Sequence, residues 1–302
     1  MPLRICFIAY ERMADYAKFI ALFRGAEAGC GIAYLAAGGG LIGVVVLHAL
    51  FWVAEAGFGL WRVRSRLTRY SLRFEWRPAT ELLTQGAILG LSTAGYTWLA
   101  TGPIMLLRHS MIDMAQLGQF AIVSSLIMIL VGSAYAFFTA ALPVLSRSAR
   151  HANLGMAYGR ITVLAIVAAA AAAACIGWLL APRLVEWALG PAYALAGGLL
   201  APFVLICGVI LAPAAYAQML LLSGERWSLA LADLAAGICL AGALPPAVAD
   251  WGLDGAVLAT AGAWLVRAAL LIGAAEMHAF RTRRVPLIPS VARAGGKTRG
   301  RT

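Results

Sequence analysis

Residues 17–61, AKFIALFRGAEAGCGIAYLAAGGGLIGVVVLHALFWVAEAGFGLW, decide how the chain is counted. These 45 residues would form one helix of about 68 Å at 1.5 Å per residue, against a hydrocarbon core about 30 Å thick. One span is too long. Two helices of about 20 residues that turn at Gly38, Gly39 and Gly40 fit, with Arg24 and Glu27 making the first a poor apolar span. Downstream, the runs 86–107, 120–142, 161–181, 194–222, 229–244 and 255–275 are apolar enough to cross unaided. The expected fold is an all-α, polytopic membrane protein of about 8 transmembrane helices.

The composition agrees, with 62% apolar residues, only 12% charged and a mean hydropathy of +0.85. Soluble domains run nearer half apolar and a quarter charged, so soluble enzyme folds are set aside. The net charge of +11 would suggest nucleic acid in a soluble chain, but here it tests topology. With the N-terminus inside, eight spans place 21 of the 24 Lys and Arg residues on the cytoplasmic side. Arg108 and Arg183 fall in outside loops, and Arg267 lies within the last helix. Seven spans would put either the N-terminal arm, or both the Arg62–Arg77 loop and the tail, on the wrong side. Both termini are therefore expected in the cytoplasm, with Arg281, Arg283 and Arg284 drawn secondarily to anionic lipid. No nucleic-acid partner is expected.

Cys6, Cys30, Cys175, Cys207 and Cys239 lie far apart, with no CxxC and no nearby histidine, so they read as small apolar residues rather than metal ligands. The N-terminus lacks a signal-peptide core before its charges resume, so no cleavable leader is expected. An internal echo links Gly40-Leu41-Ile42-Gly43-Val44-Val45 to Gly252-Leu253-Asp254-Gly255-Ala256-Val257, 212 residues and six helices later. Tandem six-helix halves are a transporter architecture. On that reading the chain comprises a partial first bundle (1–61), a basic cytoplasmic linker (62–78), a second six-helix bundle (79–277) and a basic cytoplasmic tail (278–302).

Five segments, in order and spacing, resemble the bacterial O-antigen and exopolysaccharide flippases of the multidrug and oligosaccharidyl-lipid export superfamily. Ala141-Leu142-Pro143-Val144-Leu145-Ser146-Arg147 resembles the end of that family's eighth helix, and Gly86-Ala87-Ile88-Leu89-Gly90-Leu91-Ser92 the start of its seventh. Gly190-Pro191-Ala192-Tyr193 is similar to its outside turn before the tenth helix, and Leu222-Ser223-Gly224-Glu225-Arg226 to the inside turn after it. Pro245 with Gly252-Leu253-Asp254-Gly255-Ala256-Val257-Leu258-Ala259-Thr260 resembles the opening of the twelfth. Glu11-Arg12-Met13 and Ala17 resemble the segment before the fifth. Two places depart from the pattern: Leu117-Gly118-Gln119-Phe120, where the family shows an acidic residue, Gly and Tyr, and Asp233, near a usual Asn.

The resemblance implies a chain without the family's first four helices, which carry several of its cavity-lining cations. It further implies a multi-pass protein of the cell inner membrane that flips a polyprenyl-pyrophosphate-linked oligosaccharide by alternating access. Its partners would be that substrate, membrane lipids, and the polysaccharide polymerase and glycosyltransferases of the same pathway. Rival readings are a drug or metabolite antiporter of the same superfamily and a membrane-embedded enzyme of glycan or lipid assembly. The enzyme reading would depend on loop residues such as Arg69, Glu75 or His151.

Arg267 is the foremost site candidate, because a cation in mid-helix costs at least about 2.5–3.5 kcal/mol unless it meets a cavity or a partner. It is expected either to contact a lipid pyrophosphate or sugar acid, or to form a structural pair, for which Asp233 is the natural partner. Glu55 and Glu276 read as interfacial. Arg24 and Glu27, spaced i, i+3, can neutralise one another. His48 reads as a hydrogen-bonded packing residue or a proton relay, and Arg108 as a boundary anchor that could touch an exported head group. Pro103, Pro143, Pro202 and Pro213 favour kinks. Gly86 with Gly90, and the Ala168–Ala174 run, permit close helix approach. The tail Gly296-Lys297-Thr298 lacks the glycine a phosphate loop needs at Val291, no catalytic spacing is evident, and no cofactor is expected.

Overall fold

The structure is a computed structural model that describes residues 13–66, 76–110, 113–148 and 152–284. Glu11, Arg12, Arg69, Glu75, His151 and the tail beyond residue 284 lie outside the described residues, as does most of the basic linker. Of the described residues 94% are helical and none lies in a strand, so the chain is all-α. The helices are α1 (Met13–Ala36), α2 (Leu41–Arg66), α3 (Trp76–Leu107), α4 (Met114–Ser148), α5 (Ala152–Leu189), α6 (Ala194–Leu211), α7 (Ala214–Leu222) and α8 (Arg226–Arg284). A 3-10 turn, Pro191–Tyr193, precedes α6.

Among the described residues, five segments are long and apolar enough to cross a membrane: Leu41–Gly59, Met114–Tyr135, Gly159–Trp187, Pro191–Leu222 and Arg226–Arg281. They suggest a membrane protein; the count of about eight is finer than this and stays a proposal. α1, which carries Lys18, Arg24 and Glu27, is not among the five. Nor is α3, whose Ser92, Thr93, Thr97 and Thr101 dilute its apolar character. The last of the five holds both runs expected as separate crossings, because α8 breaks at Gly252. There φ is 60° and ψ −133°, a conformation open to glycine at little cost, and it divides α8 into arms 226–251 and 253–284. Gly38, Gly190 and Gly224 also have positive φ, and each ends a helix. Pro213, without an N–H to donate, marks the boundary between α6 and α7.

The chain divides into two compact units, 1–79 and 80–302. In the first, α1 and α2 form a hairpin. Phe19 and Phe23 of α1 pack on Phe58 of α2, with ring centroids 5.8 and 5.7 Å apart. At the turn, Gly39 and Gly43 leave the room that the Tyr34 ring fills.

In the second unit the core gathers Leu99, Leu107, Phe120, Ile127, Phe203, Ile210, Leu240 and Trp264 from α3, α4, α6 and both arms of α8. Small residues set the closest approaches. Gly208 of α6 meets Ala170 of α5, and Gly197 meets Pro182, which is how apolar helices gain contact where lipid offers no hydrophobic contrast. The outer face of α5 carries Trp178 and Trp187, 72% and 86% exposed, beside exposed Leu164 and Leu179. Apolar exposure on that scale fits contact with lipid rather than water. Gln119 at the start of α4 pins the top of α6: its Nε2 donates to the Ala192 carbonyl at 2.8 Å, and its Oε1 accepts from the Ala196 N–H at 2.9 Å.

Candidate functional site

Both arms of α8 follow a helical burial pattern, and each places one charged residue on its inward stripe. In the first arm Leu229, Ala230, Ala232, Asp233, Ala236 and Leu240 are buried; in the second Thr260, Ala263, Trp264, Arg267, Ala268 and Leu271 are. Asp233 is 1% exposed and Arg267 4%, so neither keeps a water shell. The Arg267 Nε donates to Asp233 Oδ1 at 2.5 Å. Ser92 Oγ, on α3, donates to the other carboxylate oxygen, Oδ2. Gly95, one turn beyond Ser92, makes this reach possible, because a Cβ there would lie 2.9 Å from the Asp233 Cβ.

Two neighbouring aromatic rings lie on one side of the cation. The Arg267 guanidinium carbon lies 5.1 Å from the Tyr96 ring centre and 5.5 Å from that of Trp264. Tyr96 meets Trp264 at 72°, centroids 5.3 Å apart, and Tyr135 of α4 at 80° and 6.2 Å. Stacking of a desolvated guanidinium on such rings contributes about 2 kcal/mol. The carboxylate uses Nε alone, and Arg267 Nη1 is buried without a hydrogen-bond partner among the described residues. Such an orphaned donor costs about 1–3 kcal/mol, more when charged.

Arg267 and Asp233 line a cavity of about 470 Å³ between α3, α4, α7 and α8. Its walls mix the hydroxyls of Ser92, Thr93, Tyr96 and Tyr135 and the Gln218 amide with Leu89, Met128, Val131, Leu221 and Leu229. Thr93, Thr97 and Thr101 each donate to the carbonyl four residues back, which satisfies their hydroxyl protons in an apolar setting. An apolar cavity with a few convergent polar groups is the usual form of a small-molecule site. Among the described residues no three His, Cys, Asp or Glu side chains are grouped to hold a metal. The chemistry on offer is binding of an acid group and hydroxyls.

The other sequence candidates lie elsewhere. Arg24 and His48 belong to the hairpin unit, where Arg24 bonds Glu27 and reaches Glu55 at 2.6 Å. His48 Nδ1 pairs with Glu27, and its Nε2 accepts from Trp52 at 2.9 Å. Glu55, near the end of the apolar span of α2, is buried and held by a cation 31 residues upstream. Glu276 receives both Arg160 Nε and Nη2, at 3.0 and 2.9 Å. Arg108 is exposed just past the end of α3. Ser92, Tyr96, Tyr135 and Gln218 were not anticipated; their signal is only that each interrupts an apolar helix. No family model, curated protein or solved structure matches the chain.

Proposed function

We propose that the chain is a membrane flippase or exporter for a lipid-linked oligosaccharide, a polyprenyl-pyrophosphate glycan of cell-surface polysaccharide synthesis, working by alternating access. The observation that carries this reading is the cavity in the helical unit, with a buried arginine donor left without a partner among the described residues, beside hydroxyls and aromatic rings. An intramembrane cation that faces a cavity marks a substrate path more often than a structural ornament. Hydroxyl, amide and aromatic groups suit sugar rings, whose edges donate and accept and whose faces are apolar. An antiporter for apolar cations fits less well, because the open group at this cavity is itself a cation. The inner membrane, with both termini cytoplasmic, is the setting that the basic loops favour.

The test uses the full chain in proteoliposomes containing a polyprenyl-pyrophosphate oligosaccharide that bears a uronic acid and a terminal galactose. Galactose oxidase outside the vesicles reports how much substrate is exposed. Flipping raises the accessible fraction from the outer-leaflet share toward completeness, and protein-free vesicles do not. Equal accessibility with and without protein overturns the proposal.

A further inference from the structure

The cavity's charge balance narrows what it takes. Resting on the proposed function, we propose that the group bound beside Arg267 is the single carboxylate of an acidic sugar, and that the carrier's pyrophosphate is held elsewhere.

Three observations carry this. Arg267 and Asp233 are the formally charged residues of the cavity wall, and their charges cancel. A pyrophosphate, with two or more negative charges, would enter a site of zero net charge and low dielectric without the cluster of cations that normally repays its desolvation. A carboxylate brings one charge. Second, Tyr96 and Trp264 lie against the guanidinium, and Asp233 holds its Nε. The hydrogen-bonding capacity still unused lies at the Nη end of the guanidinium, where the buried Nη1 has no partner among the described residues. In-plane approach of two N–H groups to two oxygens is the geometry of a planar carboxylate. Third, the rest of the wall is built for the body of a sugar: Thr93 and Gln218 for hydroxyls, Met128 and Leu229 for the apolar ring face. At about 470 Å³ the space lies within the usual 300–1,000 Å³ of small-molecule sites and suits one or two rings.

The experiment compares three probes on the purified full chain by calorimetry: cellobiuronic acid, its neutral counterpart cellobiose, and inorganic pyrophosphate. The acid is expected to bind at least tenfold tighter than cellobiose, and pyrophosphate is expected not to displace it. Arg267→Gln alone would strand Asp233 and risk misfolding, so the comparison variant is Asp233→Asn with Arg267→Gln, which removes both charges together. There the acid-over-neutral preference should fall to about one. Competition by pyrophosphate, equal binding of acid and neutral disaccharides, or a preference that survives in the double variant overturns the proposal. Acid-selective binding without flipping in vesicles would remove the transport reading and keep the carboxylate site. Equally fast flipping of neutral and acidic lipid-linked glycans would do the reverse.

Discussion

Replacing Asp233 by Ala removes the partner of an arginine that is 4% exposed and already has one unsatisfied donor. The variant must hold a lone buried cation, and breaking such a pair costs about 3–5 kcal/mol. For a unit of this size each kcal/mol moves the unfolding midpoint by roughly 2–4 °C, so a fall of about 6–20 °C is expected. Arg267→Met alone strands the carboxylate, which keeps only its Ser92 donor, and should cost a similar amount. The double variant Asp233→Leu with Arg267→Met leaves no charge and similar volume, so it should recover most of the loss and stand within about 2 kcal/mol of the parent. The assay is thermal unfolding in detergent, followed by tryptophan fluorescence and size-exclusion profile, arranged as a double-mutant cycle. A coupling energy of at least about 2 kcal/mol is expected on this reasoning. Additive single and double effects would mean that the two groups do not depend on each other, and the buried pair as described would be wrong.

Other consequences are smaller or more local. Ser92→Ala deletes a hydrogen bond to a buried carboxylate and should cost about 1.5–3 kcal/mol, whereas Thr93→Ala, whose hydroxyl bonds its own helix, should cost under about 1 kcal/mol in the same melt. Gly208→Val forces methyl groups into Ala170 across the α5–α6 contact and should destabilise by about 1–3 kcal/mol; an unchanged midpoint would contradict that packing. Glu276→Gln breaks a pair whose arginine side chain is 64% exposed, so stability should move by no more than about 1 kcal/mol. For topology, Arg108→Cys and Arg183→Cys should react with an impermeant maleimide applied outside spheroplasts, and Arg281→Cys only after permeabilisation. Reversed labelling would invert the orientation that the basic loops imply.

What could be read ahead of the structure follows from which signals are local. The turn at Gly38–Gly40 is legible because 45 residues exceed one crossing, and the break at Gly252 because two apolar runs flank a cluster of Pro, Asp and Gly. Asp233 and Arg267 stand out as lone charges in apolar helices, and opposite sign alone suggests that they meet. The surroundings are not legible. Ser92 lies 141 residues from the carboxylate it serves, and an intramembrane hydroxyl has the same local appearance whether it bonds its own helix, as Thr97 does, or a neighbour. The partner of Glu55 is hidden for a related reason: Arg24 sits in another helix, which no periodicity within α2 reveals. α3 shows the limit of counting by apolarity, since its hydroxyls keep it from the five spanning segments.

The most direct measurement fills the cavity and reads transport. Gly132 of α4 lines the cavity and has open space where its Cβ would stand, so Gly132→Trp can occupy the volume without displacing a neighbour. Gly118, also on α4 with open space beside it, does not line the cavity and supplies the control substitution Gly118→Trp. In the vesicle assay the account predicts that Gly132→Trp slows flipping at least tenfold with an unchanged melting midpoint, while Gly118→Trp flips at the parental rate. Parental flipping by Gly132→Trp would contradict the claim that this cavity is the substrate path.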